Sequence, residues 1–283
     1  MKTSLKSLNN VLRFFHVMPA LQADTMRVVN PFLLGLRGAQ FSNSFNAVSR
    51  HTIDIIEPDY RNYRCGIAVC DPQADTFSVF RATTVPGEYY VNNPLQPAGA
   101  AVLCPGLYNY VIGLHRRKYA ALRQSGAFTL LRDTNRNKLM EFEKDRLCRT
   151  AQSGINIHYG YGPEIGRFSA GCQVIMIDRN GLAEWNAFFD QCKYQRCWQY
   201  LLINAKWLCL VEAFKSGHYP GMWLVGSAGD DVREIQRKLC GHGWQIATDG
   251  QYGFKTMTAV VAFQLKNGLS VDGVVGAMTL KEL

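Results

Sequence analysis

The chain has 283 residues, 47% of them hydrophobic and 19% charged, which excludes a disordered polymer and leaves room for two folded cores. A formal charge of +9 and a pI near 9.1 favour an anionic partner: nucleic acid, anionic lipid, or the acidic polymers and stem carboxylates of a bacterial wall. No basic helix with interleaved aromatics points to nucleic acid, and no apolar run is long enough to span a bilayer.

The first residues, Lys2 and Lys6 followed by LNNVLRFFHVMPALQA, resemble a signal peptide broken by Asn9, Asn10, Arg13 and His16; an amphipathic helix is expected over 1–24. From about 26 to 180 strand-like segments dominate, among them HTIDIIEP, CGIAVCDP, TFSVFRATTVPGEYYV, AFTLLRDT, INIHYG and CQVIMI. Gly, Pro, Asn and Asp turn signals separate them, as in a sandwich or barrel-like sheet. Leu182, Trp185, Phe188 and Phe189, then Trp198, Leu201, Leu202 and Ala205, recur at helical spacing and predict one or two flanking helices. The fold class is therefore a mainly β domain over 25–215, a linker over 216–229, and a small all-α three-helix bundle over 230–283.

In that bundle a phrase repeats, Asp249-Gly-Gln-Tyr-Gly-Phe-Lys-Thr256 and Asp272-Gly-Val-Val-Gly-Ala-Met-Thr279, both fitting D-G-x-x-G-x-x-T. Each reads as a tight turn with a threonine capping the next helix, and Thr279-Leu-Lys-Glu282 reads as a capping box. Val232, Ile235 and Leu239 share one helical face; Val260, Phe263 and Gln264 share another.

Nine cysteines, at 65, 70, 104, 148, 172, 192, 197, 209 and 240, are too irregularly spaced for a disulfide scaffold. The two closest pairs, Cys65 with Cys70 and Cys192 with Cys197, are wider than a zinc knuckle and lack a nearby histidine, so no metal and no cofactor is expected. Synthesis in a reducing cytosol fits this usage.

The segment Ser153–Ile177, SGINIHYGYGPEIGRFSAGCQVIMI, sets His158 and Cys172 fourteen residues apart on two strand-like runs joined by a glycine-rich connection. A thiol attacks carbonyl carbon as thiolate and needs a neighbour to take its proton, which imidazole does near neutral pH. Period-two alternation puts His158 opposite Ile155 and Ile157, and Ser169-Ala170-Gly171 lets backbone N–H groups approach an oxyanion. A buried structural cysteine beside an ordinary strand histidine is the alternative, and an activated thiol is expected to alkylate well below pH 8.

The segments DVREIQRKL, DGQYGFKT, AVVAFQLKNGL and VDGVVGAMTLKEL resemble the peptidoglycan-binding domain of many wall-degrading enzymes. The resemblance implies a bundle that holds an enzyme on murein, with Asp249, Tyr252, Phe254 and Asp272 as candidate wall contacts. The Ser153–Ile177 segment, with FNAV (45–48), RATTVPGEYY (81–90), GAAVLCPGLYNYVIGLHRRKYAALRQ (99–124) and LLRDTNRN (130–137), resembles the L,D-transpeptidase-like (YkuD-like) superfamily over roughly 30–180. That resemblance implies Cys172 as nucleophile, His158 as base, and the Gly171 and Cys172 N–H groups as oxyanion hole. Ser169 stands where the family's Ser/Thr precedes its H-G-C; Ala170 replaces that histidine, and the His-to-Cys spacing is shorter than in typical transpeptidases. Arg167, Tyr159, His115 and Asp133 are candidates for binding the stem peptide.

Together these features point to a peptidoglycan-active cysteine enzyme that cleaves stem peptides, as an L,D-carboxypeptidase or endopeptidase, through a thioester. L,D-transpeptidation or D-amino-acid exchange is one alternative; a non-catalytic wall-binding protein is another. A lytic agent of phage endolysin or antibacterial effector type is expected, made in the cytoplasm without a clear signal peptide and acting in the periplasm or cell wall after release or delivery. Peptidoglycan is the expected partner, without nucleic acid or a membrane span; no delivery or immunity partner is specified.

Overall fold

The computed structural model describes residues 2–4, 31–41, 52–71, 74, 76–138, 145–178, 181–205, 221–224, 227–269 and 273–283. The chain divides into two compact units, one carrying the strands and the other the C-terminal helices.

In the first unit eight strands close into a barrel: β2 (Phe32–Arg37), β5 (Cys65–Asp71), β6 (Thr76–Thr83), β8 (Gly106–His115), β9 (Tyr119–Ser125), β12 (Ile157–Tyr161), β13 (Gln173–Ile177) and β14 (Cys197–Asn204). Their order is β12-β13-β6-β5-β2-β14-β8-β9, and closure leaves no exposed edge among them. Two smaller sheets accompany the barrel. One is β1 (Lys2–Ser4), β4 (Thr52–Ile55) and β3 (Ala39–Phe41); the other is β11 (Arg146–Thr150), β10 (Phe128–Asp133) and β7 (Ala100–Leu103). The N-terminal residues Lys2–Ser4 pair with Thr52–Asp54 as strand, where a helix was expected; the rest of that expected helix lies outside the described residues.

Most barrel pairs are antiparallel, but β12 with β13 and β14 with β2 run parallel. The β12–β13 pair is joined by residues 162–172, which carry the chain back without a helix. One hydrophobic cluster fills this unit, with Leu33, Ile67, Phe80, Tyr110, Ile157, Ile175, Trp198 and Tyr200 at its centre. Helix α2 (Ala183–Cys192) adds Trp185 and Phe188 to it, the latter edge-to-face with Phe80 at 5.4 Å, as the helical spacing predicts.

The second expected helix is instead strand β14. Trp198, Tyr200 and Leu202 alternate into the core while Cys197 and Gln199 are exposed; Leu201 and Ile203 are buried too, and this two-sided burial mimics helical spacing. Similarly, the strand read through TFSVFRATTVPGEYYV ends at Thr83, and after Gly87 the chain makes the short helix α1 (Glu88–Asn92).

The second unit holds α3 (Asp230–Gly241), α4 (Phe254–Lys266) and α5 (Ala277–Glu282), packed through Val232, Ile235, Leu239, Val260, Phe263 and Val275. The expected linker 216–229 lies partly outside the described residues, and its described part is bonded into this unit: Trp223 and Val275 exchange N–H···O bonds at 3.0 and 2.8 Å, and Gly229 N–H donates to Gly250 O at 2.9 Å.

A buried glutamine accounts for each repeated turn. Gln236 accepts the Gly250 N–H at 2.8 Å and donates to Asp249 Oδ1, Gln251 O and Thr256 Oγ1 at 2.9, 3.0 and 3.0 Å. One repeat later, Gln264 accepts the Gly273 N–H at 2.9 Å and donates to Val274 O and Thr279 Oγ1 at 2.8 and 3.1 Å. Gly250 and Gly273 adopt φ of 74° and 71°, which a side chain would strain. The threonines therefore serve as buried partners for the glutamines. Thr279 is not an N-cap: α5 begins at Ala277 behind Gly276, because the Thr279 hydroxyl is turned inward to Gln264.

Candidate active site

Strand register brings His158 and Cys172 together. His158 pairs across the parallel ladder with Val174, and Gln173 N–H donates to Asn156 O at 2.9 Å, fixing the first step of the pair. Cys172, immediately before β13, therefore lies beside the start of β12. His115 arrives from a third direction, as the last residue of β8, because β9 links β8 to β12 through the Leu122–Ile157 pairing. One ring nitrogen of each histidine and the cysteine sulphur lie within 4.8 Å of one another.

His158 is 1% exposed. Its Nδ1 lies 2.8 Å from Tyr159 O, and a carbonyl accepts only, so Nδ1 carries the proton and Nε2 the lone pair. That Nε2 is buried and has no hydrogen-bond partner. Burial, then the neighbouring His115, lowers the His158 pKa to about 3, keeping the ring neutral. His115, its ring centroid 4.1 Å from that of His158, is lowered to about 4 by burial and then by Arg116.

Cys172 is 9% exposed, and its Sγ lies 3.6 Å from Gly154 O. Burial raises its thiol to about 11, against smaller lowering effects of the Asn156 N–H and Arg116. The resting pair is thus neutral thiol beside neutral imidazole, which differs from the expectation of a thiolate well below pH 8: desolvation outweighs the donors around the sulphur.

Tyr159 contributes through its carbonyl, while its ring packs against Tyr119, Trp185 and Tyr161 at 4.7, 5.4 and 5.5 Å. Ser169 is fully buried; its Oγ lies 2.7 Å from Cys172 O and 3.1 Å from Val85 O and accepts the Gly171 N–H at 3.2 Å. Ser169 therefore shapes the loop and is not placed to touch substrate, and the Gly171 N–H assigned to the oxyanion hole is already bonded. Gly171 itself, at φ 128°, lies where a Cβ would come 2.7 Å from Ala101 O.

Arg167 stacks over Tyr89, 4.0 Å from its centroid. Asp133 is buried at the end of β10 and accepts the Asn137 and Lys138 N–H groups at 3.1 and 3.0 Å, a turn-holding role. In the helical unit Asp249 holds its turn through Gln251 N–H and Gln236, and Tyr252 is buried with its hydroxyl donating to Gly273 O at 3.0 Å. The Phe254 side chain and Asp272 lie outside the described residues.

Three neighbours were missed from sequence. Asn156 links Gln124 N–H, which donates to its Oδ1 at 3.1 Å, to His115 Nδ1, 3.1 Å from its Nδ2. It sits two residues before His158, so the same alternation that placed His158 also marked Asn156. Tyr119 Oη lies 3.4 Å from His158 Nδ1. Arg116 follows His115 in a turn closed by Lys118 N–H to His115 O at 2.9 Å, with Arg116 and Arg117 at φ 48° and 60°. That geometry is usually taken by Asn-Gly.

The two imidazoles and the thiol are a donor set whose chemistry suits a thiophilic cation, although no metal is expected from the cysteine spacing. The described tautomer does not fit one: the His115 Nδ1 lone pair is taken by Asn156, and its Nε2 then bears the proton.

Residues 228–283 match the family described as "Putative peptidoglycan binding domain". Among curated proteins the chain is 41% identical over 68 residues to a zinc D-Ala-D-Ala carboxypeptidase of Streptomyces albus G, covering 23% of this chain and 27% of that one. It is 38% identical over 61 residues to a probable N-acetylmuramoyl-L-alanine amidase of Bacillus licheniformis, covering 20% and 17%. It is 37% identical over 84 residues to a spore cortex-lytic enzyme of Bacillus cereus, covering 29% and 31%. The chain thus spans less than a third of the length of these relatives. No solved structure matches it. Among the described residues no helix is long and apolar enough to cross a membrane.

Proposed function

We propose that this protein is a peptidoglycan-active cysteine enzyme of L,D-transpeptidase type, held on murein by its C-terminal helical unit. The observation that carries the chemistry is the buried, unpartnered Nε2 lone pair of His158 within a cluster that includes the Cys172 sulphur. The substrate class rests on the peptidoglycan-binding match and on relatives named as carboxypeptidase, amidase and cortex-lytic enzyme.

In this reading His158 Nε2 takes the thiol proton as Cys172 attacks a stem-peptide carbonyl, since both groups are neutral at rest. The tetrahedral intermediate expels the amine, which receives the proton from His158, and a thioester remains on Cys172. Water then resolves it, regenerating the thiol and releasing a shortened stem. The helical unit raises the local concentration of stems without adding a catalytic contact. As a lytic agent the protein acts on the cell wall.

Purified murein incubated with the full chain and analysed by mass spectrometry is expected to yield shortened or uncrosslinked stems, and the Cys172→Ala variant to yield none while still sedimenting with murein. Intact stems with the wild-type chain would overturn the reading. New crosslinks or incorporated free D-amino acid would move the conclusion to transpeptidation or exchange.

A further inference from the structure

His158 has a hydrogen-bonding task, but of the two backbone donors expected for the oxyanion only the Cys172 N–H is left to it: Gly171 N–H already donates to Ser169 Oγ, and Ala170 offers no side-chain donor. The third member of the cluster, His115, has so far been assigned no chemical step. It is 7% exposed, on a different strand pair from His158, with its ring packed on that of His158.

Its tautomer can be read from its partners. Gln124 N–H can only donate, so the Asn156 atom facing it is the carbonyl oxygen, and the Asn156 NH2 is the group facing His115 Nδ1. An NH2 only donates, so Nδ1 accepts. A neutral ring that accepts at Nδ1 carries its proton on Nε2. His158 is set the other way round by Tyr159 O. Two histidine rings packed at a 31° tilt beside one thiol thus carry opposite tautomers: Nε2 is an acceptor on His158 and a donor on His115.

We infer that His115 is a second catalytic histidine, whose Nε2–H donates to the oxyanion formed when Cys172 attacks. This deepens the proposed function and rests on that reading. As the Sγ–C bond forms, the carbonyl π pair moves onto oxygen, and the thiol proton moves to His158 Nε2. The His115 N–H hydrogen-bonds the oxyanion without transferring its proton. Collapse of the intermediate restores the carbonyl as a thioester, and the departing amine takes the proton held by His158. His115 ends the step in the tautomer in which it began, held there by Asn156.

This assignment differs from a second base or a metal ligand, each of which needs a lone pair on Nε2. It also gives Asn156 a purpose: it is the positioning residue that fixes the His115 donor.

Two measurements test the inference. In long-range 1H–15N spectra of 15N-histidine-labelled full-length protein, with His115 identified by its loss in His115→Gln, the proton is expected on Nε2 of His115 and on Nδ1 of His158. A proton on Nδ1 of His115 would overturn the donor role, whatever the activity. In the murein assay His115→Phe, which keeps a packed ring and loses the donor, is expected to slow Cys172-dependent product formation about 10²-fold or more, and His115→Gln, which keeps an N–H, to stay within about tenfold of wild type. Alkylation of Cys172 by iodoacetamide above pH 9 should be similar in all three, showing that the site remains folded and that thiol deprotonation does not depend on His115. Equal product formation by His115→Phe and wild type would overturn the inference while leaving the proposed enzyme intact. Identical products from wild type and Cys172→Ala would overturn the enzyme, and this step with it.

Discussion

The two units bury polar groups on opposite terms. In the helical unit Gln236 and Gln264 are each hydrogen-bonded through both amide atoms to turn backbone and to a threonine. In the barrel unit, among the described residues, Tyr63 Oη, Tyr110 Oη and His158 Nε2 are buried without a partner. A saturated network specifies a unique structure; an unsaturated acceptor holds unspent hydrogen-bonding capacity at a fixed place. The difference teaches how each unit holds its buried polar groups: the helical unit in a closed network that fixes shape, the barrel with an acceptor left open.

Breaking each side should cost different things. Cys172→Ala is expected to abolish murein products, a loss of more than 10³-fold by mass spectrometry, with little change in thermal stability. Gln236→Leu should do the reverse. It strands Gly250 N–H and Thr256 Oγ1 inside the helical unit, costing about 2–3 kcal/mol in urea unfolding and weakening murein sedimentation, while solution-phase cleavage of soluble muropeptides persists. Gln264→Leu should match it if the two repeats are equivalent.

Acid offers a third contrast. The His158 pKa is lowered to about 3 in the fold, against about 6.5 in the unfolded chain. The unfolded state therefore binds the proton first, and stability present above pH 6.5 is lost as pH falls toward 3. By pH 5 the loss from His158 is about 2 kcal/mol, with His115 adding in the same direction down to about 4. Differential unfolding followed by the Trp223 or Trp244 signal against the barrel tryptophans should show the barrel softening as these two histidines charge. The smallest effect is expected from Arg116→Gly, which relieves a left-handed backbone at φ 48° and should stabilise by about 1 kcal/mol in urea melts.

Much of this was legible in sequence, unevenly. The strands around His158 and Cys172 follow from short apolar runs between turn signals, and the helical unit from its repeated phrase. β14 was misread because burial on both faces erases alternation, leaving Trp198, Leu201 and Leu202 at a spacing that a helix shares. The capping role given to Thr279 failed because its partner, Gln264, lies fifteen residues earlier on another helix. Asn156 stands in plain view just before β12, in phase with His158, but its meaning depends on His115, forty-one residues away, and no local pattern links the two. Ser169 and Gly171 show the converse: the motif position was readable, but the direction of each hydrogen bond was not.

The parallel pairing of β12 with β13 has a consequence for the chain's history. The separation of His158 from Cys172 in space is set by ladder register, His158 opposite Val174, whereas their separation in sequence is set by the 162–172 connection. Residues can be gained or lost at its exposed positions, Pro163, Glu164, Gly166 and Arg167, for little closure entropy, with the ladder register of His158 and the Ser169–Cys172 turn left in place. The fourteen-residue His-to-Cys spacing is then a statement about the length of the exposed part of that return, on which insertions and deletions can accumulate while the register beneath it stays fixed.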